Sequence, residues 1–294
     1  MAVVPPLPTD DLGPGTTPPV RVAGVPDEPT AVESQRRRVH LLGQSFDRLT
    51  REQALTVIER LVTEGRGGVV AGKNVALCVD CRRDQALYGF YESCDLTTVD
   101  GRPLVYASAM LGARLPEMVG GPGLWWRVVE RAAERGWSLY LLGGVSDVVT
   151  LAVTELRERF PALRIVGWHH GYVDVAADGL ALLRDVGASG AQLLMVGMPT
   201  PKKEQLGDLC RDHLPGTVCI LVGGVFDVFA GRKRMAPAWV SRLCLEWLYR
   251  LAQEPGRLWR RYLRTNSRFL GMIVVALALR VRRALGRSRK GARS

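Results

Sequence analysis

Four short segments carry the residues that could hold a phosphorylated ligand. They are Leu142-Gly143-Gly144-Val145-Ser146-Asp147, His169-His170-Gly171-Tyr172, Gly197-Met198-Pro199-Thr200-Pro201-Lys202-Lys203-Glu204 and Gly223-Gly224-Val225-Phe226-Asp227. Glycine at the turn from a strand into a helix lets backbone N–H groups approach a phosphate, and the helix N-terminus behind it favours negative charge. One such turn is ordinary in an α/β protein. Several at the ends of successive apolar runs point to a nucleotide.

A second group is cationic. After Pro255, arginines stand at 257, 260, 261, 264 and 268, and helical periodicity brings Arg257, Arg260, Arg261 and Arg264 onto one face. Leu258, Trp259, Tyr262 and Leu263 fill other positions, so the segment is amphipathic. A row of arginines repels itself unless anions lie opposite. Two anions fit: the diphosphate of a ligand, or the headgroups of an anionic membrane.

Cys78-Val79-Asp80-Cys81, with Cys94 further on, has the spacing of half a zinc site. Structural zinc takes four ligands, yet no second pair and no nearby histidine accompany this one, and Cys78 ends an apolar run. The six cysteines read as reduced, mostly buried thiols of a cytoplasmic protein with no secretory signal at its start. No metal ligand set and no cofactor are assigned.

The apolar pattern predicts the elements that position these groups. Helices are expected over 50–64, 124–135, 148–160, 176–186 and 202–213, and strands over 68–78, 96–101, 138–142, 163–168, 192–196 and 217–222. Apolar runs separated by amphipathic helices imply parallel strands buried on both faces. The fold class is therefore α/β, a Rossmann-like, doubly wound, mostly parallel sheet with a helical C-terminal appendage. In such sheets ligands sit beyond the carboxyl ends of the strands, where the four glycine-bearing segments fall.

Composition adds boundaries. With 47% hydrophobic residues among 294, the chain can bury a sizeable core. Residues 1–36 carry eight prolines among small and acidic residues and no apolar periodicity, so residues 1–38 are expected to be a disordered tail. An α/β domain follows over 39–250, then a basic appendage over 251–294. Leu251 to Ser294 holds twelve Lys or Arg residues and one acid, Glu254, a net +11 that equals the charge of the whole chain. A neutral body with a cationic tail argues for an anionic membrane surface and against nucleic acid.

Taken in order, Asp100-Gly101, Leu142-Gly143-Gly144, Gly171-Tyr172, Pro201-Lys202-Lys203-Glu204, Gly223-Gly224-Val225-Phe226-Asp227, Ala236-Pro237-Ala238-Trp239 and Leu245-Glu246-Trp247-Leu248-Tyr249-Arg250 resemble the WecG/TagA/CpsF glycosyltransferases over residues 40–270. The resemblance implies a UDP-sugar-dependent, inverting, metal-independent transfer of N-acetylmannosamine or another hexose derivative to a sugar on undecaprenyl diphosphate. The chain contains no Asp-x-Asp pair. Charge on the leaving diphosphate would then fall to arginines, lysines and backbone donors.

By the same resemblance Asp100 is the general base that takes the acceptor hydroxyl's proton, and Gly101 keeps its approach open; by itself Asp-Gly is also a common turn. Asn74 matches another polar position of the family site and would orient a substrate through its amide, or simply serve a turn. The resemblance also places Arg250 and the arginines after it over the diphosphate.

Four positions depart from the family pattern. Gly72 stands where many members have threonine, Met118 replaces the arginine of Glu-Arg-Val, Lys203 replaces the glutamine of Pro-Lys-Gln-Glu, and Met235 replaces the arginine of Arg-Ala-Pro. They imply an altered donor or acceptor, or a catalytically silent subunit that recruits a glycan-assembly complex to the membrane. Lys203 would supply a compact charge for phosphate without an arginine's planar fork.

The uncharged run 269–279 is bracketed by arginines and falls short of the ~20 residues a membrane-crossing helix needs. It is expected to lie in the inner membrane surface as an interfacial helix, unless it packs on the domain or a partner copy. A homo-oligomer in which one subunit's appendage reaches another's site is also compatible with the sequence.

Overall fold

The computed structural model describes residues 38–243 and 245–291, apart from the side chains at 238, 241, 257 and 283–291. The expected disorder of residues 1–37 lies outside the described residues. Arg38, expected in the tail, instead opens strand β1 (Arg38–Leu41). Its guanidinium donates to the carbonyls of Glu92 and Cys94 at 2.8 and 2.7 Å, which fixes the start of the fold.

β1 pairs antiparallel with β2 (Gln44–Asp47) in a hairpin that the apolar pattern does not predict. The hairpin is tied to the main sheet by the Asp47 carboxylate, which accepts the backbone N–H of Thr97 at 2.7 Å. Helix α1 (Arg51–Thr63) begins with a capping box, the Thr50 and Gln53 side chains each accepting the other's backbone N–H.

The remaining elements are β3 (Gly68–Lys73), α2 (Val75–Asp80), α3 (Gln85–Ser93), β4 (Leu96–Val99), α4 (Arg102–Leu111), α5 (Pro122–Arg135), β5 (Ser138–Gly143), α6 (Ser146–Arg159), β6 (Arg164–His169), α7 (Val175–Ala188), β7 (Leu193–Gly197), α8 (Lys202–His213), β8 (Val218–Leu221), α9 (Phe226–Phe229), α10 (Ala238–Arg242), α11 (Glu246–Gln253) and α12 (Pro255–Gly291). One expectation is corrected here. The strand predicted over 68–78 stops at Lys73, because the Asn74 side chain accepts the Leu77 N–H at 3.0 Å and starts α2 in its place.

Strands β3 to β8 form one six-stranded sheet in the order β4-β3-β8-β7-β5-β6, every pair parallel. Leu139, Leu141, Leu193, Met195 and Ile220 point to one face, beneath α1, α5 and α6. Tyr140, Leu142, Leu194, Val196 and Leu221 point to the other, beneath α3, α7 and α8. This is the alternation expected of strands covered on both sides.

A third, smaller cluster joins the hairpin, α2 and α4 to the appendage. Phe269 is buried among Cys78, Val79, Leu104 and Leu115, with Met272 and Ile273 packed alongside. The run 269–279 therefore lies within the single 37-residue helix α12 and buries one face on the domain. Its other face is open, with Leu270, Val274, Val275 and Leu279 exposed. Arg280 closes the contact by donating to the Met110 carbonyl at 3.1 Å. No helix among the described residues is long and apolar enough to cross a membrane.

Candidate active site

The carboxyl ends of β3 and β4 meet at Lys73 and Val99, and the residue just past β4 is Asp100. Its N–H donates to the Lys73 carbonyl at 2.8 Å. The segment 117–121 then crosses it, with the N–H groups of Val119 and Gly120 both donating to the Val99 carbonyl, at 3.1 and 2.8 Å.

Three glycines enclose the Asp100 side chain. A Cβ on Gly120 would stand 2.7 Å from the Asp100 Cβ, one on Gly121 would stand 3.1 Å from its Oδ1, and one on Gly72 would stand 3.5 Å from its Cβ. Gly121 also has φ +76°, a backbone that side chains disfavour.

Burial in this hollow raises the Asp100 pKa above the usual carboxylate range, while the cationic groups of Arg250 and Lys203 work in the opposite direction. A carboxylate held back from water with two cations in electrostatic reach is suited to accept a proton from a hydroxyl. The two cations come from different elements: Lys203 from the first turn of α8, Arg250 from α11, the helix that runs into the appendage.

Lys203 is buried, and its ammonium is 3.3 Å from the Tyr91 hydroxyl and 3.2 Å from Glu204 Oε1. That same oxygen accepts from the Tyr91 hydroxyl at 2.8 Å and from Thr200 Oγ1 at 3.0 Å. Burial first, and Glu204 second, push the Tyr91 phenol well above its ordinary range. Lys203 is thus tied inward. Its neighbour Lys202 is exposed and donates to the Val173 carbonyl at 2.9 Å, and Tyr172 stands 74% exposed on the rim.

Asn74 sits beside Lys73 at the end of β3, with its amide oxygen committed to the cap of α2. Its amide nitrogen is the group left to address a ligand. Lys73 itself is fully buried: its ammonium lies 3.3 Å from Gln44 Oε1 and 3.4 Å from Glu92 Oε1, over the rings of Phe46 and Tyr91.

The Gly-Gly turns do something other than offer free N–H groups. Gly144 donates to the Gly197 carbonyl at 3.2 Å, Gly171 to Gly144 at 2.8 Å, and Gly223 to Val196 at 3.3 Å. Gly143 faces Gly197 in the β5–β7 register so closely that a Cβ on Gly143 would overlap the Gly197 backbone. Asp227 is paired to Lys233 at 3.1 Å, and Lys233 also pairs with Glu254 at 2.7 Å, which fastens the start of the appendage to α9.

Arg260, Arg261 and Arg264 are exposed on α12, Arg260 lying 5.2 Å from the Trp259 ring. The Arg257 side chain lies outside the described residues. Cys78 lies in α2 and Cys81 caps its C-terminus, and burial pushes their thiols up to about 12 and about 11.

Sequence reasoning passed over four residues at this place. Thr98 is buried with its hydroxyl unpartnered among the described residues. Gly120 and Gly121 shape the hollow, and Arg51 donates to the Met118 carbonyl at 3.4 Å from the start of α1. The signal available was Gly120-Gly121-Pro122-Gly123, a glycine-rich entry to a helix.

A family model described as glycosyl transferase, WecG/TagA/CpsF family, matches residues 39–284. Over 197 residues the chain is 28% identical to the N-acetylglucosaminyldiphosphoundecaprenol N-acetyl-beta-D-mannosaminyltransferase of Bacillus subtilis (strain 168), an alignment covering 67% of this chain and 75% of that relative.

Proposed function

The chain belongs to the WecG/TagA/CpsF family of glycosyltransferases, and from that premise we propose that it moves an N-acetylmannosamine-like sugar from a UDP-sugar to a polyprenyl-diphosphate-linked sugar in cell-surface polysaccharide synthesis. The acceptor class follows the relative, whose name gives a diphosphoundecaprenol-linked N-acetylglucosamine. The observation that carries the reading is Asp100, buried in a glycine hollow within electrostatic reach of cations from α8 and α11.

In this reading the ionised Asp100 carboxylate takes the proton of the acceptor hydroxyl while that oxygen bonds to the anomeric carbon and the bond to UDP breaks. One displacement inverts the anomeric centre. The charge left on the diphosphate meets Arg250 and the exposed arginines of α12, with no metal in the step. Gly101 leaves the approach to Asp100 open, and the Asn74 amide nitrogen orients a substrate hydroxyl or oxygen. Gly143, Gly144, Gly197, Gly223, Tyr172, Lys202 and Asp227 line or support the rim on which the nucleotide lies.

The division of labour is a body over 39–250 that holds the base and an appendage over 251–294 that supplies cations and holds the protein to the inner membrane face. The exposed apolar strip of α12, flanked by arginines, supports that peripheral association. The test is a panel of UDP-sugars with a synthetic polyprenyl-diphosphate-linked N-acetylglucosamine, with and without EDTA. Transfer with an inverted anomeric centre and no loss in EDTA is expected, and a retained configuration would refute the single displacement.

A further inference from the structure

Arg51 is the first residue of α1, and its guanidinium is short of partners. One Nη2–H reaches the Met118 carbonyl at 3.4 Å, and Nε is buried with no acceptor among the described residues. No carboxylate among the described residues pairs with it. Glu117 accepts the Arg51 backbone N–H at 2.7 Å. Glu52, the acid beside it in the first turn, is 3.3 Å from Arg127.

The surroundings make that guanidinium harder to account for by structure alone. A Cβ on Gly123 would lie 3.7 Å from its Cζ, so it stands against the first turn of the 14-residue helix α5. Helix N-termini carry partial positive charge and disfavour a cation. Arg51 is at the N-terminus of its own helix and against that of another. The cap of α5 is Gly121, which has no side chain; Pro122 carries no N–H and Leu124 donates to the Gly121 carbonyl at 3.2 Å, so the uncapped donor of this turn is the Gly123 N–H, and the same Gly121 borders Asp100 Oδ1. The α1 end is closed by its capping box and by Glu117; the start of α5 and the buried Arg51 Nε have no such partner among the described residues, and α5 begins at the Gly121 that borders the candidate base.

We propose that Arg51, with the N-terminus of α5, binds oxygens of a substrate diphosphate beside Asp100. The inference rests on the glycosyl-transfer reading above and adds a residue to it. The guanidinium reaches the Met118 carbonyl from the first turn of α1. Its planar fork suits two phosphate oxygens in a way an ammonium does not.

The test compares wild type with Arg51→Met and Arg51→Lys. KM is measured for the UDP-sugar and for the lipid-linked acceptor, binding of UDP and of inorganic pyrophosphate by calorimetry, and folding by melting temperature. Loss of a charge-assisted contact predicts weaker binding by about ten- to a hundredfold in Arg51→Met, with Arg51→Lys between the two. A rise in the donor KM with weaker UDP binding assigns the site to the donor diphosphate. A rise confined to the acceptor KM, with UDP binding unchanged, assigns it to the lipid diphosphate. A wild type that transfers sugar, beside an Arg51→Met protein with both KM values and pyrophosphate binding unchanged, overturns the inference. So does a purely structural defect, in which melting temperature and kcat fall while KM and pyrophosphate binding hold. A wild type that binds pyrophosphate through Arg51 but transfers nothing counts against the transfer reading instead.

Discussion

Gly120 and Asp100 approach so closely that a methyl group on Gly120 would stand 2.7 Å from the Asp100 Cβ and 3.0 Å from its Cα. Neither atom can yield without moving the end of β4. Gly120→Ala is therefore expected to displace the carboxylate while leaving both faces of the sheet packed. A shift of about 1 Å in a reacting group costs on the order of a hundredfold in rate. Comparing kcat with the far-ultraviolet circular dichroism of the variant checks this, since a simple folding defect would change both.

Asp100 sets a pH dependence whose sign can be worked out. Its pKa in the folded protein is raised by burial, against the pull of Arg250 and Lys203. A base acts only when ionised, so kcat/KM should climb as pH rises through that raised pKa. Arg250→Gln removes a cation that favours the ionised form, so the acidic limb should move to higher pH. A limb that stays in place or moves to lower pH contradicts the electrostatic role given to Arg250.

The same shift bears on stability. A raised folded-state pKa stabilises the fold below the unfolded carboxyl's pKa, and the contribution is lost as pH rises through the folded value. Asp100→Asn should thus melt higher than wild type at neutral pH, and the difference should vanish in acid. Thermal melts at two pH values measure it.

The long parallel strands were legible because buried runs such as Leu139 to Leu142 and Leu193 to Val196 recur between amphipathic helices. The hairpin was not. Its strands, Arg38–Leu41 and Gln44–Asp47, are mostly polar and so form no apolar run, and its turn uses Leu42 at φ 54° ahead of Gly43, where turn chemistry gives little warning. Val75 to Cys78 reads as strand because a short apolar run carries no period of its own; the capping side chain of Asn74 decided it. Asp100 could be picked out by resemblance, but its enclosure by Gly120 and Gly121 joins residues that only the fold brings together. The Lys203–Tyr91–Glu204 cluster was hidden for the same reason.

The two faces of α12 separate its roles. Phe269 is buried, and Phe269→Ala should cost about 3–5 kcal/mol of stability, as large core truncations do. Leu270, Val274 and Val275 are exposed, so replacing them with glutamate should leave the melting temperature nearly unchanged. It should also release the protein from sedimenting vesicles that contain anionic lipid. Undiminished sedimentation would refute the anchoring role of that face. These substitutions are cleaner than truncating after Asn266, which would also remove the buried Phe269.

The most direct test of Asp100 as the base is sugar transfer by Asp100→Asn. The variant keeps the shape of the hollow and loses the proton acceptor, and general-base catalysis contributes about 10²–10⁴-fold. With a UDP-sugar that the wild type uses and a lipid-diphosphate acceptor, transfer should fall by that order while UDP binding stays close to wild type. Transfer at the wild-type rate by a folded Asp100→Asn protein would contradict the mechanism.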